Sequence, residues 1–231
     1  MLKELRVIEK NLAELTYSHQ KLSIEIINNL DFARANLISS IYDQAILEGV
    51  TTTFSTIETI IDNGKVSNMK ANDVLKILNL KHAWEFLLDE DVILSPAYFY
   101  LLSSIAKLIN ESFYYNGGKI RTLPVKTGGT SYIPPIPNEI NIKETLSQII
   151  FANDEAINKA IELCLYVMKT QIFNDGNKRT AVIFANHYLI NNGKGLLVVS
   201  EDKVPAFKKL LVDYYDEKDE LDIKRFMKEE R

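Results

Sequence analysis

Apolar residues recur at three- and four-residue intervals along nearly the whole chain, and this rhythm restricts it to helices packed face to face. Residues 2–15 and 22–47 carry it, and the second run ends at Glu48-Gly49, where glycine can supply a left-handed stop. It continues through residues 55–62 and 71–88, the latter with Val74, Ile77, Leu78, Trp84, Leu87 and Leu88 as its buried side. Pro96 suits the first turn of another helix running to about residue 115. Further helices are predicted over 142–152, 154–170, 180–190, 204–215 and 221–229, with a short strand at 195–199. The rhythm breaks at residues 117–138, which hold four of the nine glycines and four of the six prolines. There residues 120–126 look extended, Gly128-Gly129 is a hairpin turn signal, and 130–133 return antiparallel before Pro134, Pro135 and Pro137 stop further pairing. The prediction is one mainly α domain with a β-hairpin flap, on which an N-terminal helical portion packs.

Composition narrows the function classes. Lys and Arg number 27 against 31 Asp and Glu, so a basic nucleic-acid face is not expected. The single cysteine, Cys164, rules out an intramolecular disulfide, fits a reducing compartment, and falls on an apolar helical face. No basic region followed by an apolar run opens the chain, and the most apolar stretch, 92–109, is interrupted by Pro96, several serines and Lys107. A cytoplasmic protein without a membrane span is expected.

Between two predicted helices lies QIFNDGNKR, residues 171–179, with one acid, one glycine and two adjacent bases in a tight turn. A helix N-terminus presents free backbone N–H groups and the positive end of its dipole, so such a turn is an anion site. Lys178 and Arg179 add cationic side chains, and Asp175 is suited to a hard cation such as Mg²⁺ held against a phosphate. The local chemistry predicts a site for the phosphates of a nucleotide.

QIFNDGNKRTA closely resembles the signature of the Fic/Doc (Fido) family, H-x-F-x-[D/E]-G-N-G/K-R. Phe173, Asp175, Gly176, Asn177, Lys178 and Arg179 fit in order and spacing, while Gln171 stands where the family has histidine. GKIRTLPVKTGGTSYIPPIP, residues 118–137, looks like the family's flap, and QAILEGV looks like its inhibitory segment. The resemblance implies a Fic-type helical bundle with residues 91–231 as its core, containing the flap at 117–138 and the motif at 171–179. Residues 1–90 would form the N-terminal portion, with an inhibitory-like helix over 22–49. It further implies a transferase moving a nucleoside monophosphate, usually AMP from ATP, onto a protein hydroxyl. Asp175 would hold Mg²⁺, Gly176 would let the backbone approach the phosphates, and Asn177 and Arg179 would position and neutralise them. Phe173 would anchor the loop, and Thr127, Gly128, Gly129, Thr130, Ser131 and Tyr132 would dock a target segment as an added strand.

The departures matter as much. Gln171 can orient a hydroxyl but cannot take its proton, and a lost base costs about 10²–10⁴-fold. The resemblance therefore implies weak or altered activity, or a catalytically silent module that binds nucleotide and peptide. His19, His82 and His187 have no sequence reason to reach the turn. Val182 stands where many members carry a second arginine, and Gln44 replaces a Ser/Thr of the inhibitory segment, so Glu48 and Gly49 lack the expected setting. Lys178 or Arg179 is then the available partner for Glu48. Lys178 also matches a Doc-like branch that transfers phosphate, which leaves the transferred group open. An antitoxin-like regulator and self-association are compatible with the family.

Overall fold

The computed structural model describes residues 23–64, 66 and 69–230. The helix expected at 2–15, and the first residue of the run at 22–47, lie outside them. The described residues form helices α1 (Ile24–Ala35), α2 (Leu37–Leu47), α3 (Phe54–Asn63), α4 (Ala71–Leu87), the single turn α5 (Glu90–Ile93) and α6 (Phe99–Ile109). After the flap come α7 (Glu139–Phe151), α8 (Ala156–Thr170), α9 (Asn177–Asn191), a 3₁₀ turn (Glu201–Lys203), α10 (Val204–Tyr215) and α11 (Glu220–Glu229). The fold is mainly α, a helical bundle.

The bundle is built around α9. Thirteen of its 15 residues are buried, so unlike its amphipathic neighbours it has no solvent face. Helices α8, α6, α4, α5 and α1 surround it, with α8 making the most extensive contact. Cys164 is fully buried in α8, and its thiol pKa is pushed up by desolvation, so it is a packing residue. Two polar side chains buried on α9, Asn186 and His187, bond backbone from other segments. The Asn186 amide donates to Leu197 O at 2.9 Å, and its carbonyl accepts from Leu197 N–H at 2.7 Å. His187 Nε2 lies 2.9 Å from Val92 O.

Several expectations are corrected. The run at 22–47 is two helices, broken at Asn36, whose side-chain amide donates to Phe32 O and whose N–H turns back to Phe32 O and Arg34 O. Such local side-chain bonding competes with helix continuation. Helix α6 stops at Ile109 rather than near 115, because Asn110 caps it and bonds elsewhere. Residues 195–199 are not a strand: the Asn186 side chain takes the place of a neighbouring strand at Leu197. Nor does a β-hairpin form at 117–138. Among the described residues this segment holds no strand, and the backbone groups of 122–137 find no backbone partner. A guanidinium and three anchors at the tip hold it instead.

Candidate functional site: a helix N-terminus facing Glu48

Helix α8 ends at Gln171, which takes the left-handed conformation (φ 48°), and Gly176 repeats it (φ 71°) immediately before α9. Gly176 is required twice over. Beyond its positive φ, a Cβ there would lie 2.6 Å from Ile109 Cγ2 and 3.2 Å from Asn110 Oδ1. The glycine thus serves close packing against the end of α6 as well as the turn itself. The first backbone bond of α9 runs from Thr180 N–H to Gly176 O, so the N–H groups at 177–179 have no intrahelical acceptor.

Asn177 faces inward. Its carbonyl accepts from Phe173 N–H at 2.9 Å, and its amide donates to Phe173 O at 2.8 Å and to Gln171 Oε1 at 3.1 Å. The side chain is spent on closing the loop. Phe173 is fully buried beneath it. Gln171 is pinned a second time, its amide donating to Met168 O at 2.6 Å. Tyr215 also donates to Met168 O, at 3.2 Å, and the same hydroxyl meets the Gln171 side chain. Burial pushes the Tyr215 pKa up, so this hydroxyl does not replace the missing base. His187 is fixed to Val92 O in the core and is equally unavailable.

The cationic part of the site is filled by Glu48. Glu48 caps α2, with Gly49 supplying the left-handed stop at φ 78°. Its carboxylate lies 3.4 Å from Lys178 Nζ and 3.5 Å from Arg179 Nε. Arg179 is 2% exposed and reaches Asp175 through its other end, at 3.3 Å. Yet Nε and Nη1 of Arg179 and Oε1 of Glu48 are buried without a hydrogen-bond partner. Glu48 therefore neutralises Arg179 by proximity, with hydrogen-bonding capacity left unused on both sides. Gln44 and Val182 are also buried and line one small cavity with Ser40 and Trp84. Where a second arginine would stand is thus a buried valine beside the unpartnered polar atoms of Ser40, Gln44 and Trp84, and Glu48 pairs one turn earlier along α9.

Asp175 is half-exposed at the rim of the turn. Among the described residues no cluster of three or more His, Cys, Asp or Glu side chains forms a protein-only metal cage. A single exposed carboxylate beside an anion site still suits Mg²⁺, which usually takes one or two carboxylates with water and substrate phosphates completing its shell.

Two residues important to this arrangement carried no sequence signal on their own. Asn110, at the end of α6, donates to Asp175 O at 3.0 Å and to Gly117 O at 3.3 Å, joining the motif turn to the base of the flap. Arg121 reaches the motif from the flap's first arm: its N–H donates to Ile172 O at 3.0 Å and its Nε to Gln171 O at 2.5 Å. At the tip, Thr130 Oγ1 bonds the Asp216 carboxylate and Tyr132 stacks on Tyr215 with ring centroids 6.1 Å apart. Lys169 lies over both Tyr132 and Tyr214. Gly128, Gly129 and Ser131 remain exposed, while Thr127 is half-buried.

Comparison with known proteins agrees with this layout. Fic-1 from C. elegans superposes with a TM-score of 0.69 at 19% identity, covering 99% of this chain and 68% of that one. A Fic family protein from Desulfovibrio desulfuricans G20 gives a TM-score of 0.72 at 17% identity, covering 99% and 70%. A Fic domain containing signaling protein from Bacteroides thetaiotaomicron gives 0.67 at 18% identity, covering 87% and 79%. At these identities the likeness is one of fold. A comparison with curated protein sequences returns no match. The sequence profile of the Fic/DOC family matches residues 98–189, the span from the start of α6 to the last turn of α9. Those residues of the chain are a Fic/DOC-family domain.

Proposed function

We propose that the chain binds a nucleoside triphosphate with Mg²⁺ at the N-terminus of α9 and transfers its nucleotidyl group, usually AMP, slowly to a protein hydroxyl, breaking the α–β phosphoanhydride bond and releasing pyrophosphate. The observation that carries this reading is Arg179. A buried guanidinium with two nitrogens lacking acceptors, beside unfilled backbone N–H groups, is a strong recruit for phosphate oxygens. Asp175 would hold the metal at the rim, and the ion supplies charge neutralisation between phosphates when bound. Lys178 adds a point charge. Glu48 occupies the place facing Arg179, so entry of the phosphates requires the carboxylate to withdraw. Gln171 then orients the incoming hydroxyl through its amide without accepting its proton, which passes to solvent water. Orientation and preorganised charge remain as the sources of rate. The flap supports docking of an extended target segment over residues 127–132, because its backbone has no internal strand partner.

The pinning of Gln171 between Met168 O and Asn177 favours a second reading, a silent nucleotide-binding module. Incubation with ATP labelled at the α-phosphate, with Mg²⁺ and candidate proteins, separates them. Covalent label that disappears in an Arg179→Ala variant supports transfer. ATP binding without covalent label supports the module. Absence of ATP binding in the folded protein rejects both.

A further inference from the structure

Arg121 lies on the first arm of the flap, yet its side chain is 1% exposed. Its Nε donates to Gln171 O at 2.5 Å and Nη1 to Leu123 O at 2.9 Å. Nη2 reaches Pro134 O at 3.1 Å, Pro135 O at 2.6 Å and Thr170 O at 3.5 Å. Among the described residues no carboxylate neutralises it. Its counter-charge is the carbonyl end of α8, where aligned peptide dipoles leave partial negative charge. One planar fork thus grips the outgoing arm of the flap, its returning arm, and the strained turn that holds Gln171. Only guanidinium has donors enough, in a fixed plane, to serve all three.

We infer that Arg121 is a positioning residue that couples the flap mechanically to the backbone of the base position, so that what docks on the flap is felt at Gln171. The missing strand ladder explains why such a clamp is needed. Residues 122–137 have no backbone partners of their own, and Arg121 takes three of the carbonyls a hairpin would have paired or left to solvent. Asn110 closes the same junction from α6, through Gly117 O and Asp175 O. The functional consequence, control of hydroxyl orientation by the bound target, rests on the transfer reading above. The coupling itself does not.

Amide hydrogen exchange on the full chain tests it without nucleotide. Thr130→Val removes the tip's bond to Asp216 and the acceptor of the Tyr132 N–H, while leaving Arg121 in place. The coupling predicts faster exchange at Tyr132, whose N–H loses its acceptor, and, with it, a rise of roughly two- to tenfold at 170–174, the range set by losing one net hydrogen bond. Arg121→Lys keeps the charge and removes the fork. In that background Thr130→Val still speeds the flap but no longer changes 170–174. Circular dichroism confirms that each variant is folded, and if Arg121→Lys is not, the single Thr130→Val variant decides. Unchanged exchange at 170–174 on Thr130→Val, or the same rise in both backgrounds, overturns the proposal. ATP titration of the same proteins reports separately on the nucleotide reading, whose failure would leave the exchange result intact.

Discussion

Gln171 and Gly176 are the two residues at which the site departs from, and depends on, special chemistry. Gln171 sits where a proton acceptor would be, with its carbonyl oxygen bound by Asn177 and its amide by Met168 O. A Gln171→His variant supplies an imidazole titrating near neutral pH. It is expected to raise the rate of label transfer from the α-phosphate of ATP by about 10²–10⁴-fold, and an unchanged rate with ATP bound would show that proton abstraction is not the missing step. Gly176 allows neither a Cβ nor a negative φ. Gly176→Ala should lower stability by about 2–4 kcal/mol, combining the left-handed penalty with the clash against Ile109, measurable as a shift in urea midpoint. The motif residues themselves are legible in the chain because glycine, acid and paired bases at fixed spacing admit few local structures. Asn110 and Arg121 are not, because an asparagine and an arginine acquire their roles from carbonyls 65 and 50 residues away.

Helices α2 and α9 carry opposite responses to acid. His187 on α9 is buried, and its pKa is lowered from 6.5 to about 4 by desolvation. As pH falls below 6.5 the unfolded chain takes up the proton first, so stability declines between 6.5 and about 4 and is unaffected above. Asp43 on α2 is raised from 3.8 to about 6, first by burial and then by Glu201 and Asp202 nearby. Its contribution is present below 3.8 and is lost as pH rises through about 6. The two groups oppose each other between pH 4 and 6, so each needs its own variant. Asp43→Asn should raise the thermal midpoint at pH 7.5 and leave it little changed at pH 3.5, and His187→Gln should flatten the loss between pH 6.5 and 4. A neutral-pH midpoint for Asp43→Asn below the parent's would contradict the burial account. The helix pattern placed α3, α4, α8, α10 and α11 within a few residues of their observed ends, since each has one apolar face. It missed the break at Asn36, where a single side chain's hydrogen bond outweighs a continuous apolar stripe.

Across the whole molecule, the flap and the C-terminal helices form one surface. Thr130 bonds Asp216, Tyr132 stacks on Tyr215, and Lys169 from α8 lies between Tyr132 and Tyr214. The tip is therefore held against α10 while its backbone stays unpaired, which supports the proposed docking of an extended segment there. Ser131 is exposed there, and Ser131→Pro removes one backbone donor without entering the core. The variant should bind ATP with unchanged affinity and label its protein target at least several-fold more slowly; equal labelling would exclude strand addition at this point. No helix among the described residues is long and apolar enough to cross a membrane.

Local order in this chain determined a great deal by itself: helices from three- and four-residue apolar spacing, a tight glycine-containing turn at 171–179, and a break in the helical rhythm at 117–138 from its glycines and prolines, though not the hairpin expected there. These follow from interactions within a few residues, which any chain with that order would make. The tertiary structure decided the rest. It set Glu48 beside Lys178 and Arg179 across some 130 residues of chain, and let Asn186 stand in for a strand. It also replaced a hairpin ladder with the guanidinium of Arg121. Each is a choice of polar partner made after burial, when a buried charge or amide must take whatever donor or acceptor the packed helices bring within reach.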